Sequence, residues 1–376
     1  MYIRVFSVRP MEALLDKYMN FMKTELKPSG WKVDYCDPMK WSPSDVAADI
    51  NIHIDFPLRL AVPWARFNVF AADAVLTKDS WIRADMDFVV TAMSLTDRNT
   101  ATSTLRRIFA AAAKSKRPAA LPLDMKGATA ADLPKVGIIT LTRNRKDWWP
   151  NMLQNVVKQN WPADRMEWII VDDSDENQKI SDEVEVFMEK SPGIMIRYVE
   201  MEKPRTIGAK RNAAVEAAPG LDIFVIMDDD DHYPSNSIAR RVAWLNRALP
   251  EKVPQAQIGF CTVLPVYDLT RYISAMSVAE IVQDPGERMS EATMIFTRAA
   301  WAARPFPSVN MAEGDGFIAG REAITVEIPP KEVIVSFIHA KNTSSRRIPP
   351  DQEPNGCHFG FSDEYFSYVH TIGTKK

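Results

Sequence analysis

Cysteine is scarce in this chain of 376 residues: Cys36, Cys261 and Cys357 are the only three. Their odd number and wide spacing argue against a disulfide framework or a paired-cysteine zinc site and favour a reducing compartment. Long apolar runs are missing too. No stretch approaches the ~18 uninterrupted apolar residues of a membrane span, and "MYIRVFSVRPMEALLDKYMNF" lacks the basic segment and apolar core of a secretory leader. A cytoplasmic protein with no transmembrane segment is the expectation. Charge of one sign is also lacking. The 46 basic and 49 acidic residues leave a net charge of −3, so no bulk field points to nucleic acid or an anionic membrane as partner. Core material is plentiful, with 46% hydrophobic and 10% aromatic residues, enough for two domains.

A stretch rich in Ala, Pro and Lys, residues 113–134, reads as a linker between an N-terminal α/β domain (1–112) and a larger domain (135–376). In the first, "YIRVFSV", "WKVDYCD" and "DINIHIDF" read as strands and "MEALLDKYMNFMKTEL" as an amphipathic helix, with no Gly-rich phosphate loop. Arg59, Trp64 and Phe67 fall in an aromatic-rich loop suited to packing, or to stacking on sugar rings. In the second, "KVGIITLT", "EWIIVDD", "IMIRYVEM" and "DIFVIMDD" read as strands joined by three helices. The expectation is a doubly wound, mostly parallel sheet, whose ligands sit at the carboxyl ends of the strands.

Polar clusters occupy those ends. "IFVIMDDDDHYP" sets Asp228, Asp229, Asp230 and Asp231 directly behind an apolar strand. In an extended segment Asp228 and Asp230 face one side and Asp229 and Asp231 the other. Carboxylates this close repel unless a cation intervenes, and Mg²⁺ or Mn²⁺ prefers oxygen donors shared with substrate phosphates. Capping of the next helix is the plainer alternative, but a cap needs one such residue. Asp172 and Asp173 end a second strand, where a simple turn is an equal reading. Thr140, Thr142, Arg143, Asn144 and Arg145 end the first strand. "KPRTIGAKRNAA" adds Arg205, Gly208, Lys210, Arg211 and Asn212 at a helix start, where free N–H groups and basic side chains favour anions.

"VGIITLTRNR", "EWIIVDDSDE", "TIGAKRNAA" and "FVIMDDDDHYP", in this order and spacing, resemble the nucleotide-sugar half of a GT-A-fold glycosyltransferase of the family 2 group, over about residues 135–236. The resemblance implies that Thr142 and Arg145 line the nucleotide pocket and that Asp173 or Asp172 contacts the base. It puts Arg211 near phosphates or base. Asp228 and Asp230 would form the metal-binding D-x-D, with Asp229 beside the nucleotide and Asp231 able to replace either ligand. The departure is "DDSDEN" where the family more often has "DDGS", which bears on turn geometry.

In the remaining half, 237–376, "ATMIFTRAAW" resembles the strand and helix that position the acceptor. "FPSVNMAEGDGFIAGRE" carries Glu313 and Asp315 where similar enzymes carry an E-D pair. A carboxylate opposite the leaving diphosphate can take the proton of an acceptor hydroxyl, and Asp315 is favoured over Glu313 for this; a helix cap is the alternative. "VIVSFIHAKNTSSRR" resembles the closing C-terminal element, with His339 as a third metal ligand or a structural residue, and Lys341 joining Lys210 and Arg211 as helpers at the diphosphate. The reading is a glycosyltransferase using Mn²⁺ or Mg²⁺ and a nucleoside diphosphate sugar, UDP or GDP before others, on a glycan or glycoconjugate hydroxyl, with inversion implied by the family. A sugar nucleotidyltransferase would want a Gly-rich loop that "TLTRNRKDWWP" lacks; an inactive carbohydrate-binding protein on the same fold is the other competitor.

Overall fold

The structure, a computed structural model, describes residues 2–7, 32–36, 48–54, 65–71, 88–90, 98–114, 133–190, 193–245, 256–277, 285–321, 324–342, 348 and 359–374. The helix expected over 11–26, Arg59 and Trp64, most of the expected linker and the segment 343–347 lie outside them.

Near the N-terminus, β1 (Tyr2–Ser7), β2 (Lys32–Cys36), β3 (Ala48–Ile54), β4 (Ala65–Ala71) and β5 (Phe88–Val90) form one sheet in the order β2-β1-β3-β4-β5, parallel throughout. Ile3, Val5, Ile50, Ile52 and Val69 alternate along the strands and share a core with Leu105 and Ile108 of α1 (Arg98–Ala113). The other face is polar yet buried: Arg4, Asn51 and Asn68 lie in register on adjacent strands. There Phe6 stacks on His53 at 4.9 Å, and burial pulls His53 down to about 3, against a hydrogen bond with Asn68 that favours the protonated ring. Phe67 belongs to β4 and is buried in the core, which corrects its assignment to a loop: the period-two alternation runs through it.

A second sheet has the order β14-β10-β13-β9-β6-β7-β8. Its members are β6 (Val136–Thr142), β7 (Met166–Asp172), β8 (Met195–Glu200), β9 (Ile223–Ile226), β10 (Ile258–Cys261), β13 (Ser290–Thr297) and β14 (Thr325–Glu327). Only β13 runs against the rest. The four expected strands are thus parallel neighbours, and three further strands extend the sheet beyond β9. A small sheet, β12-β11-β15, joins β11 (Pro265–Asp268), β12 (Ile273–Met276) and β15 (Ser336–Ile338).

Near-continuous apolar runs make these strands, because both faces are covered. Ile138, Trp168, Ile170 and Val225 meet α2 (Trp149–Val157), α3 (Ser181–Lys190), α5 (Ser237–Leu245) and α9 (Asp363–Gly373). Ile139, Ile169, Phe224 and Ile226 face α4 (Ile207–Ala217), α7 (Arg298–Ala303) and α8 (Glu313–Ile318). Each such side chain contributes about 1.5–3 kcal/mol by leaving water. Between β13 and β10 in sequence, α6 (Pro285–Arg288) is a single turn. No helix among the described residues is long and apolar enough to cross a membrane. Because β7 and β9 flank β6 on opposite sides, the chain leaves the ends of β6 and β9 in opposite directions, which is the switch point where a doubly wound sheet has its ligand crevice.

Candidate active site

The acidic cluster stands at that crevice. β9 stops at Ile226, and Asp229 and Asp230 make a turn, so the expected alternation of an extended segment does not hold. Arg145, from the end of β6, places its Nη1 2.6 Å from Asp229 Oδ1 and also against Asp230 Oδ2, while Nη2 donates to the Lys341 carbonyl at 3.0 Å. Burial opposes the arginine's charge, but Asp229, Asp230 and Asp228 raise its pKa above the ordinary value. Despite burial, Arg145 and His339 hold Asp230 below the usual carboxylate range. Asp228 accepts no hydrogen bond from the described residues; burial, with Asp230 and Asp229, pushes it up to about 7 against the pull of Arg211. Asp231 turns to β15, where it accepts the Phe337 N–H at 2.8 Å, and burial raises it well above the usual value.

Other expected residues have partners of their own. His339 Nε2 lies 3.0 Å from Asp230 Oδ2, and its Nδ1 accepts the Lys341 N–H at 3.2 Å. An accepting Nδ1 puts the proton on Nε2, so the ring donates to Asp230 and has no lone pair for a metal at that nitrogen. Lys341 reaches the site through its backbone, and its side chain is exposed. Asp172 is wholly buried, accepting from Ser174 N, Ile180 N and the Tyr198 hydroxyl at 2.8, 3.2 and 2.7 Å. Asp173 binds Lys210 Nζ at 2.7 Å and the Arg205 N–H at 2.9 Å. Pulling Lys210 away toward a phosphate would strand a buried carboxylate at a cost of about 3–5 kcal/mol, so Lys210 serves Asp173. Thr142 is buried beside Asp229. The "DDSDEN" departure has a use: Ser174 Oγ accepts the Asn144 N–H at 2.8 Å, and Asn144 and Asp175 exchange two bonds of 2.8 Å, tying the ends of β6 and β7 together.

The start of α4 is not open to anions. Its Ile207 and Gly208 N–H groups donate to Asn310 Oδ1 (3.2 Å) and the Val309 carbonyl (3.1 Å), and Ala209 N–H to the Thr206 cap (3.3 Å). A Cβ on Gly208 would fall 1.8 Å from the Pro307 carbonyl, which explains the glycine. The docked loop carries Ala312 in the left-handed region (φ 56°), then enters α8 with Glu313 and Asp315 in its first turn. Glu313 is buried against Arg211, which donates from Nε (3.0 Å) and Nη2 (2.8 Å), leaving Nη1 without a hydrogen-bond partner among the described residues. Asp315 is half-buried beside Gly286. Sequence reasoning missed the amides of α2. Asn151 Nδ2 donates to the carbonyls of Asp229 (3.0 Å) and Asp231 (2.8 Å), and Asn155 Nδ2 to Asp231 (2.8 Å). Their four-residue spacing on a helix was the available signal.

Among the described residues no three His, Cys, Asp or Glu side chains gather as a metal site. The donor chemistry nonetheless fits a hard divalent cation, which commonly takes one or two carboxylates and completes its shell with water and substrate phosphates; Asp228 and Asp230 are the pair that would hold it. A cavity of about 530 Å³ lies to one side, bordered by Glu200, Lys203, Arg205 and Ala209. It adjoins Asp173 through Arg205, and the acidic turn is not among its walls.

Residues 137–251 match the family described as Glycosyl transferase family 2. No curated protein matches the chain. Among solved structures, it is similar to the mannosyltransferase PcManGT from Pyrobaculum calidifontis in complex with GDP-Man and Mn²⁺, at 21% identity over 66% of this chain and 68% of that one, TM-score 0.45. It is also similar to S. aureus TarS, at 15% identity over 54% of this chain and 37% of that one (TM-score 0.41), and to TarS 1-349 in complex with UDP, at 15% identity over 55% and 61% (TM-score 0.40). The chain thus spans less than two thirds of either TarS chain. The family match covers β6 to β9 and the acidic turn: residues 137–251, the part of the chain that carries Arg145, Asp173, Arg211 and Asp228 to Asp231, are similar to the glycosyl transferase family 2.

Proposed function

We propose that this domain moves a sugar from a nucleoside diphosphate sugar, UDP- or GDP-linked, to a hydroxyl of a glycan or glycoconjugate, with inversion at the anomeric carbon. The observation that carries the reading is the meeting of Arg145 with Asp229 and Asp230 at the β6/β9 crevice. Asp228 and Asp230 would hold Mn²⁺ or Mg²⁺, and the bound cation would neutralise charge growing on the departing diphosphate. Asp315 takes the proton of the acceptor hydroxyl as its oxygen bonds to the anomeric carbon and the bond to the diphosphate oxygen breaks. Glu313, engaged by Arg211, orients the first turn of α8. Residues 1–112 form a separate domain in this reading, joined through 113–134.

Arg145 already neutralises the Asp230 carboxylate through Oδ2, so its positive charge opposes a divalent cation at the same group. Release of that carboxylate on cation binding would free Arg145 to face the diphosphate. In a titration followed by electron paramagnetic resonance, Arg145→Ala is expected to bind Mn²⁺ about tenfold more tightly than the wild type without nucleotide. Equal affinities would remove the competition, and no binding to either protein would overturn the cation site.

A further inference from the structure

The acidic turn is held by backbone carbonyls, and what holds them is a chain of side chains reaching back to the C-terminal helix. Asn151, in the first turn of α2, is wholly buried and spends both Nδ2 hydrogens on the carbonyls of Asp229 and Asp231. An amide has one donating and one accepting end, and a flipped Asn151 would aim its oxygen at two carbonyl oxygens. The orientation is fixed from the other side: the Tyr365 hydroxyl of α9 donates to Asn151 Oδ1 at 2.7 Å. A hydroxyl has one hydrogen, so the contact of 3.1 Å between Tyr365 Oη and His232 Nδ1 requires the imidazole to donate. The proton of the ring facing Tyr365 is then on Nδ1. Every donor and acceptor in the series is then defined.

We propose that His232, Tyr365 and Asn151 form a directed hydrogen-bond relay that sets the geometry of the acidic turn, making Tyr365 and Asn151 positioning residues for cation and diphosphate binding. The inference rests on the proposed reading of that turn. It gives α9, more than 130 residues beyond the turn in sequence, a part in the reaction: Ser362 caps the helix by accepting the Tyr365 N–H at 3.3 Å, and Tyr368 Oη donates to the Asp147 carbonyl at 3.0 Å, clamping α9 to the start of α2.

The test uses the full chain, with UDP and GDP as probes and titration calorimetry with and without Mn²⁺. Tyr365→Phe keeps the ring and removes the hydroxyl. It is expected to weaken Mn²⁺-dependent nucleotide binding about tenfold, within the range for groups that orient ligands of a metal, while binding without Mn²⁺ stays at the wild-type level. Asn151→Asp, which cannot donate to the carbonyls, should lose more, and adding Tyr365→Phe to it should cost nothing further, since the two act in one series. Loss of binding with and without Mn²⁺ alike would make the residues merely structural and overturn the relay, as would wild-type affinity in Tyr365→Phe; that variant decides the matter if Asn151→Asp does not fold. A wild-type protein that binds neither nucleotide with Mn²⁺ would overturn the reading of the turn, and the relay with it.

Discussion

Asp230→Asn is expected to abolish Mn²⁺-dependent binding of UDP or GDP and to reduce sugar transfer by on the order of a hundredfold or more, leaving the fold intact. Asp230 is the point on which Arg145, His339 Nε2 (3.0 Å) and Asn342 Nδ2 (3.4 Å) converge. An amide there has one oxygen where the carboxylate has two, and its NH₂ would meet donors already in place. Loss of a cation's charge stabilisation amounts to several kcal/mol, and each 1.4 kcal/mol is tenfold. The fold should survive because Arg145 keeps Asp229 and the turn loses repulsion among Asp228, Asp229 and Asp230. Calorimetry for binding and a thermal melt for the fold separate the effects. Undiminished binding in the variant would take Asp230 out of the cation site.

The second large effect belongs to Asp315→Asn. A positioned general base contributes about 10²–10⁴-fold, so turnover should fall in that range, with donor binding and melting temperature unchanged. The companion Glu313→Gln should behave differently. Glu313 is buried and bonded twice by Arg211, and neutralising one partner of a buried ion pair destabilises by about 3–5 kcal/mol. Its first symptom should be a lowered melting temperature. Wild-type turnover in Asp315→Asn would move the base elsewhere; lost turnover without lost stability in Glu313→Gln would move it to Glu313.

The parts of this site legible in the sequence were those governed by local pattern. The apolar runs ending at Thr142, Asp172 and Ile226 are strands because their neighbours cover both faces, and their polar ends had to gather at one sheet edge. What stayed hidden depends on partners far along the chain. Lys210 reads as a free cation at a helix start, yet it is committed to Asp173, 37 residues away. The start of α4 reads as an anion site until the loop around Val309 covers it, and that loop arrives 102 residues later with Glu313 to meet Arg211. His339 reads as a ligand, but the Lys341 N–H on its Nδ1 selects the tautomer that donates to Asp230. The antiparallel β13 beside β9, and the turn at Asp229 and Asp230 in place of an extended strand, are likewise outcomes of tertiary packing that no residue pattern announces.

The most direct measurement of the central claim is a thermal-shift panel of the wild-type protein with UDP, GDP and CMP, each with and without Mn²⁺. A ligand that binds only the folded state stabilises it by about 2.7 kcal/mol at a hundredfold excess over its Kd. The account predicts a clear rise in melting temperature with UDP or GDP that requires Mn²⁺. A rise equal in the presence and absence of the cation, or none with any nucleotide, would contradict it.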